Sequence, residues 1–395
     1  MKEDWKECKL GEVCENIYSG GTPATMIKEY WNGELPWLSS GETGQRYINF
    51  TEKTITKLGA EKSSTRFAYK NSTVVASAGQ GYTRGQASYL NIDTFVNQSV
   101  IVLKPNIEMI NSKFLYFNID SRYDELRQLS DGTSTRGSLS GKIMKELSIT
   151  LPPLATQQKI AKILSSLDDK IELNNKINDN LEQQAQAIFK SWFVDCMNSN
   201  TKMSDIIDVR DGTHDSPKPQ ESGYLLVTSK HLEPYSINPT DANFIKKEDF
   251  EKINERSKVD TGDILLSMIG TVGIVSLVTD SHVNWAIKNM GLFKTSKEEK
   301  YKYFLLNYLK SKDIKNYINQ HLAGSTQKYI SLSELRNLPI NLPEPVILDK
   351  YNRLMQPIYE QIIENTKENR NLISLRDTLL PKLMSGEIEV DEVKV

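Results

Sequence analysis

Cysteine and histidine are scarce in this chain, which has 3 cysteines and 4 histidines among 395 residues. Cys8, Cys14 and Cys196 are too few and too scattered for a disulfide framework, and no C-x-x-C pair is present to hold zinc. The histidines have no metal-ligand spacing, so we expect them to have structural or surface roles. These absences exclude a disulfide-stapled secreted domain and favour a reducing, cytoplasmic environment.

Excess charge and long apolar runs are also missing. The 49 Lys and Arg residues and 51 Asp and Glu residues give a formal net charge of -2, which neither demands nor excludes nucleic acid. The N-terminus is charged throughout and lacks the apolar core of a signal peptide. The most apolar stretch, residues 264–278, contains Ser, Gly and Thr and falls short of a membrane span. We therefore expect a globular protein of two or three domains with no membrane role.

Catalytic motifs are largely absent as well. The segment 137–142 has one residue too few between its glycines for a P-loop, no Asn/Asp-Pro-Pro-Tyr methylation motif occurs, and no G-x-G-x-x-G follows a strand. The run 211–214 (Asp-Gly-Thr-His) resembles a site, but the corresponding run 20–23 (Gly-Gly-Thr-Pro) has neither acid nor imidazole. We expect a turn there rather than shared catalysis.

The chain is an internal repeat with an offset of 191 residues. Gly21-Thr22 corresponds to Gly212-Thr213, Leu151-Pro152 corresponds to Leu342-Pro343, and several Lys, Asn and Leu residues further on keep the same spacing. Chance does not maintain one register over so many positions. Each copy begins with short apolar runs punctuated by Gly, Ser, Thr and Asn, which is typical of strands joined by turns.

A long helical segment follows the mixed segment in each copy. The predicted fold class is α+β, with two pseudo-twofold-related α+β domains separated by two long antiparallel helices that form an intramolecular coiled coil. The predicted boundaries are a first α+β domain at 1–152, a first helix at 153–198, a second domain at 199–343, a second helix at 344–384 and a tail at 385–395.

The helical segments carry apolar residues at alternating steps of three and four, which is the pattern of paired helices. The first seam runs from Leu164 to Trp192 and the second from Met355 to Leu383. An amphipathic helix lying on its own domain is the alternative. Two asparagines at matching seam positions in both copies favour pairing, because a buried Asn costs stability but fixes the register. These register residues are Asn174, Asn178, Asn365 and Asn369. Pro357 is expected to start or kink the second helix.

Several Gly/Ser/Thr-rich loops contain no acidic residue, and similar loops recur at equivalent positions of both copies. Glycine lets the backbone approach phosphates closely, while Arg, Lys, Gln and Asn can pair with base edges. Plain turn chemistry is the alternative for any single loop. The candidate DNA contacts are Gln80, Arg84, Thr135 and Arg136 in the first copy and Lys230, Gln327, Lys328 and Tyr329 in the second, with Trp37, Ser40, Gln45 and Tyr82 as weaker candidates.

This arrangement resembles the DNA-specificity subunit of type I restriction-modification systems. The likeness is carried by residues 5–13 (WKECKLGEV), 19–23 (SGGTP), 151–161 (LPPLATQQKIA) and 163–175 (ILSSLDDKIELNN), and it covers essentially the whole chain. The second copy departs from the family pattern at residues 346–349 and at Pro357.

The resemblance implies that each variable domain is a target-recognition domain for one half of a split sequence in double-stranded DNA. It also implies that the helices act as a spacer and dock two methyltransferase subunits. Those partners would carry S-adenosylmethionine for adenine methylation, and restriction or translocase subunits would use ATP and Mg. The chain itself would hold no cofactor or metal and catalyse nothing.

Helix geometry independently favours a role for the long helices as a ruler, which means that their length sets the distance between the two DNA half-sites. A helix of about 30 residues spans roughly 45 Å, somewhat more than one DNA turn of about 34 Å. Two alternatives stay open at this point: a single-chain restriction-methylation enzyme, which the missing motifs disfavour, and a coiled-coil adaptor that binds no DNA, which would leave the loop-rich domains without a role.

Overall fold

The computed structural model describes residues 4–131, 137–193 and 200–393. Thr135, Arg136 and Cys196 lie outside these described residues. The chain divides into a first unit, residues 1–171 with 371–395, and a second unit, residues 172–370. Each unit combines an α+β domain with segments of two long helices.

The first unit is built on two sheets. Its strands are β1 (Lys6–Lys9), β2 (Cys14–Ser19), β3 (Trp31–Leu38), β4 (Tyr47–Ile48), β5 (Lys53–Ile55), β6 (Arg66–Ala68), β7 (Thr73–Ala76), β8 (Ala87–Leu90), β9 (Thr94–Val96), β10 (Val100–Pro105) and β11 (Ser148–Leu151). The larger sheet has the order β2-β10-β7-β8-β4, the smaller β5-β3-β9-β6, and β1 pairs with β11.

The helices of the first unit are α1 (Leu10–Val13), α2 (Lys57–Glu61), α3 (Ser112–Asp120), α4 (Tyr123–Asp131), α5 (Gly141–Glu146) and the start of the long α6 (Leu154–Trp192). Helix α3 packs on β7 and β8 of the larger sheet, whereas α2 lies beside β3 of the smaller one. Helix α3 begins where the Asn111 side chain accepts hydrogen bonds from the N–H groups of Lys113 and Phe114. Its Phe114 and Phe117 are fully buried with Leu103 of β10, so α3 forms the centre of this core.

The second unit repeats this plan. Its strands are β12 (Val209–Asp211), β13 (Tyr224–Val227), β14 (Leu232–Glu233), β15 (Ser236–Ile237), β16 (Asn243–Ile245), β17 (Ile264–Ser267), β18 (Val275–Leu277), β19 (Trp285–Ile287) and β20 (Met290–Phe293). Its helices are α7 (Met203–Ile206), α8 (Lys247–Ser257), α9 (Lys302–Lys310), α10 (Lys312–Gln320), α11 (Leu332–Arg336) and most of the long α12 (Pro345–Ser385).

Strand order confirms the internal repeat. The order β2-β10-β7-β8 in the first unit matches β12-β20-β17-β18 in the second. The smaller sheets also correspond, since β3 runs parallel to β9 and β13 runs parallel to β19. The α+β class predicted from short strands and turn residues is therefore confirmed in both units.

The two long helices pair antiparallel within the second unit, as the asparagine positions predict. Asn174 Nδ2 donates to Asn369 Oδ1 at 2.9 Å, and Asn365 Nδ2 donates to Asn178 Oδ1 at 2.8 Å. Asn174 is 1% exposed, so its amide depends on these protein partners. The predicted coiled-coil contact is present, while its role in fixing the register stays a prediction.

Two details of the helix prediction are wrong. Helix α12 begins at Pro345 and runs through Pro357, so Pro357 does not start it, while a kink at Pro357 stays a prediction. Proline lacks the N–H that would bond to the fourth preceding carbonyl, that of Arg353, but both side chains lie on the exposed face, where water can replace the lost bond. Trp192 is 42% exposed, and Phe189 takes the buried place at the end of the seam.

A buried ionic network joins the helices to the domain body within the first unit. Asp168 of α6 accepts from Arg376 of α12 at 2.9 Å and from the hydroxyl of Tyr47 at 2.7 Å. Arg46 lies 3.4 Å from the same carboxylate and 2.9 Å from Asp120. Burial raises the pKa of Asp120, while the Arg46 charge opposes that rise.

Candidate nucleic-acid interface

In each unit, a Gly-rich loop or hairpin predicted from sequence lies against a second chain segment at one end of the larger sheet. In the first unit, residues 77–86 connect β7 to β8, and the N–H of Leu139 donates to the carbonyl of Ser77 at 2.9 Å. In the second unit, the N–H of Ile330 donates to the carbonyl of Met268 at 3.0 Å. Ile330 and Met268 are each 191 positions after Leu139 and Ser77, so the same contact occurs at equivalent positions of the two units.

The buried side chain of Arg84 connects loop 77–86 to Asp131 and Gly137 of the first unit. Its side chain is 8% exposed and forms an ion pair with Asp131 at the end of α4. Gly137 lies directly against this guanidinium, because a Cβ at that position would come within 2.0 Å of Arg84 Nη1. The structure thus places Arg84 under the loop rather than at its tip, and DNA contact by Arg84 stays a prediction.

The tip of loop 77–86 presents Gln80 and Tyr82 to solvent. Tyr82 is 74% exposed and Gln80 is also exposed. Helix α4 fixes the backbone behind them, since Tyr123 donates its hydroxyl to the Tyr82 carbonyl at 2.9 Å and Arg127 Nη1 donates to the Gly81 carbonyl at 2.9 Å. An exposed ring and amide are therefore carried on a clamped backbone.

Replacing Arg127 with alanine is expected to loosen this loop. The change removes the bond to the Gly81 carbonyl, a contribution of about 1 kcal/mol. Amide hydrogen exchange over residues 77–86 should become faster, while exchange in β10 stays unchanged. Gln128→Ala, at an exposed position of the same helix, is the matched control. Equal exchange in the two variants would contradict the clamp.

Three weaker candidates of the first unit lie at the end of β3 or in the loop that follows it. Trp37 is 4% exposed and its indole N–H donates to the Gly21 carbonyl at 3.4 Å, so it belongs to the scaffold. Ser40 is half-buried in a short 3₁₀ helix and Gln45 is exposed just beyond it. Ser88 Oγ of β8 donates to the Thr43 carbonyl at 3.1 Å, which brings this loop beside loop 77–86.

Lys230 occupies the equivalent loop of the second unit. It lies in a 3₁₀ turn, Ser229–His231, after β13, as the turn of Ser40 follows β3. Lys230 is exposed, and its Nζ donates to the Asp241 carbonyl at 3.3 Å. Burial, with the Lys230 charge as a second cause, lowers the pKa of His231, and this favours a neutral ring. Nδ1 of that ring accepts from the Thr228 N–H at 2.9 Å and so closes the turn.

The remaining candidates form a tight hairpin in the second unit. Ala323 and Tyr329 exchange backbone hydrogen bonds of 2.9 and 3.0 Å, which leaves Gln327 and Lys328 exposed at the tip. Tyr329 is 41% exposed and bridges to Ile269 in the other loop of the pair. The structure thus joins this predicted hairpin to the loop 268–274 between β17 and β18, which contributed no candidate residue.

Sequence reasoning missed two polar pairs at the same end of the sheets. Thr22 Oγ1 donates to Gln98 Oε1 at 2.6 Å in the first unit, and His214 Nδ1 lies 2.8 Å from Asn289 Oδ1 in the second. Gln98 and Asn289 are themselves 191 positions apart. That recurring amide was the available signal, and it was overlooked because the residue types differ.

The arrangement presents amides, a lysine-bearing hairpin and a tyrosine ring on fixed loops. Such groups suit phosphate and base-edge contacts. Within residues 4–131, 137–193 and 200–393, no group of three or more His, Cys, Asp or Glu side chains is placed to hold a metal ion. The helices of the same described residues include none that is long and apolar enough to cross a membrane.

Comparison with known proteins identifies the family. The profile of the "Type I restriction modification DNA specificity domain" matches residues 2–183 and again 200–374. The chain is 30% identical to the type I restriction enzyme MjaIX specificity subunit of Methanocaldococcus jannaschii, over 100% of this chain and 95% of that protein. It is 25% identical to the HindI specificity subunit of Haemophilus influenzae, over 98% of this chain and 100% of that protein.

A solved structure supports the same fold. The type I restriction-modification S subunit of M. genitalium superposes with a TM-score of 0.56 at 17% identity, covering 97% of this chain and 96% of that one. The likeness extends over both units rather than one. The two profile matches and the 30% identity over the full chain show that this chain belongs to the family of type I restriction-modification DNA specificity subunits.

Proposed function

We propose that this chain is the non-catalytic sequence-recognition subunit of a type I restriction-modification complex. Each α+β domain contacts one half of a bipartite target in double-stranded DNA. Because the two domains share a fold but differ in their loop residues, the two half-sites differ in sequence. The observation that carries the proposal is the loop contact that recurs at an offset of 191 residues, with polar and aromatic tips in both units.

The long helices serve as the spacer and as the docking surface for two methyltransferase subunits. Those partners supply S-adenosylmethionine and the adenine-methylating residues, and restriction or translocase subunits supply ATP- and Mg-dependent cleavage. The chain's own part is to position the duplex so that an adenine can be turned out of the stack into a partner's active site. We place this assembly in the cytoplasm.

Reconstitution tests the proposed function. The purified chain alone should bind no S-adenosylmethionine in calorimetric titration and should methylate no duplex. Together with its modification subunit, it should methylate adenine at one defined DNA sequence. Cofactor binding by the chain alone would instead support a single-chain enzyme. A chain that binds no duplex, with or without the methyltransferase, would support an adaptor.

A further inference from the structure

We propose that the amides of Gln98 and Asn289 each recognise one adenine, one in each half-site. The inference rests on the proposed function and specifies which groups determine the sequence. The two residues occupy equivalent positions in the repeat, between the last strand of the smaller sheet and the strand β10 or β20 of the larger one. Each lies beside a Gly-rich loop of the candidate interface.

The backbone that carries Gln98 is fixed on both sides. The Asn97 N–H donates to the Leu38 carbonyl at 3.1 Å, and the Ser99 carbonyl accepts from the Ser77 N–H at 2.8 Å. The latter bond joins the segment to the start of loop 77–86. The Gln98 side chain is exposed, and its orientation is set by the Thr22 hydroxyl at 2.6 Å.

The position of Asn289 is also fixed, but by different contacts from those that fix Gln98. Its φ of 56° is left-handed, a conformation that asparagine tolerates better than most residues. Its carbonyl accepts from the Met268 N–H at 3.3 Å, which places it at the start of the second-unit loop. The His214 ring contacts the side chain of Asn289. Its Nδ1 lies 2.8 Å from Asn289 Oδ1, and its Nε2 lies 2.9 Å from Asp211 Oδ2.

A carboxylate anchors this histidine from within the protein. The Asp211 side chain is 8% exposed and also forms an ion pair with Arg256. The imidazole side chain is 60% exposed, so the supported ring and the Asn289 amide both border solvent. The orientation of Asn289 is therefore fixed by a chain of contacts that begins at a buried charge, which lowers the entropy lost when the amide binds a ligand.

The chemistry selects adenine. In both pairs the amide oxygen faces the neighbouring side chain, and across the residues that the structure describes neither amide nitrogen donates a hydrogen bond. A carboxamide offers one donor and one acceptor in a plane, and its oxygen can accept a second bond. Adenine presents the matching N7 acceptor and N6 donor in the major groove, whereas guanine presents two acceptors there. A neutral amide also adds no attraction for phosphate that is independent of sequence.

The test compares methylated motifs in cells that express the chain with its modification subunit. Gln98→Ala removes the first amide. Asn289→Gly removes the second without straining the left-handed backbone. Asn91→Ala is the control, because Asn91 carries an amide paired with Asn49 at 2.8 Å beyond the opposite end of β8. Sequencing of methylated adenines gives the base preference at every position of the motif.

Each variant should relax one A·T pair in its own half-site and leave the other half and the spacer unchanged. The expected loss of preference is about 5- to 150-fold, which corresponds to ~1–3 kcal/mol of base discrimination. The Asn91→Ala motif should match that of the unsubstituted chain. An unchanged motif in both test variants, uniformly weaker methylation without a change of preference, or relaxation at a G·C pair would overturn the assignment. No methylated motif with the unsubstituted chain would instead show that the proposed function has failed.

Discussion

Asp168→Ala is expected to lower the free energy of unfolding of the first unit by about 3–5 kcal/mol. The Asp168 side chain is 2% exposed and pairs with Arg376, whose side chain is 9% exposed. Alanine leaves that buried guanidinium with only the exposed Asp377 carboxylate, 2.8 Å away, as an ionic partner, and it removes the acceptor of the Tyr47 hydroxyl. Urea unfolding followed by tyrosine fluorescence measures the loss.

Asp169→Ala is the matched control, because Asp169 is the next residue of α6 and is exposed. A surface substitution of this kind is expected to change the free energy of unfolding by no more than about 0.5 kcal/mol. If the two variants unfold at the same urea concentration, the network does not stabilise the unit. The free energy of unfolding of Asp168→Asn should lie between those of Asp168→Ala and Asp169→Ala, because asparagine loses the charge but keeps an acceptor for the Tyr47 hydroxyl.

Inserting one heptad into both long helices is expected to lengthen the unspecified spacer of the DNA target by about 3 base pairs. Seven residues add about 10 Å to a helix, and each base pair adds roughly 3.4 Å to the duplex. Insertion after Asn178 in α6 and before Asn365 in α12 keeps the apolar seam in phase, because seven residues return the side chains to within about 20° of the same face.

Methylated-adenine sequencing gives the spacer length of that variant directly. The control replaces the heptad that follows Asn178 and the heptad that precedes Asn365 with the inserted sequence, so that composition changes but length does not. That control should keep the original spacer. If the heptad variant methylates with the original spacer, helix length does not set the spacer length. Altered half-sites at an unchanged spacing would instead indicate that the insertion has disturbed the domains.

The periodic features were the ones that sequence could predict. Apolar residues at steps of three and four predicted the paired helices, and Asn174 does meet Asn369. The prediction that α12 could start at Pro357 was wrong because one missing backbone hydrogen bond on an exposed face is outweighed by the packing of the helix on either side, with Met355 and Tyr359 buried.

The fold brings the candidate residues together, but their side-chain environments could not be predicted. Gly-rich, acid-free loops do lie at one end of each larger sheet, yet composition does not show which cation is buried. Arg84 turned inward to Asp131, a partner 47 residues away in sequence. Gln98 and Asn289 were overlooked because each depends on a neighbour from a different loop, and that proximity is created only by the fold. The amide that recurs at an offset of 191 residues was the one sign of them in the sequence.

The sequence of the methylated target tests the central claim most directly. Single-molecule sequencing of genomic DNA from a host with this chain and its modification subunit, against the same host without the chain, gives every methylated adenine. A duplicated recognition subunit predicts one motif made of two unlike half-sites, a spacer of single length and unspecified bases, and one methylated adenine in each half on opposite strands. A contiguous motif, or spacers of several lengths, would contradict it.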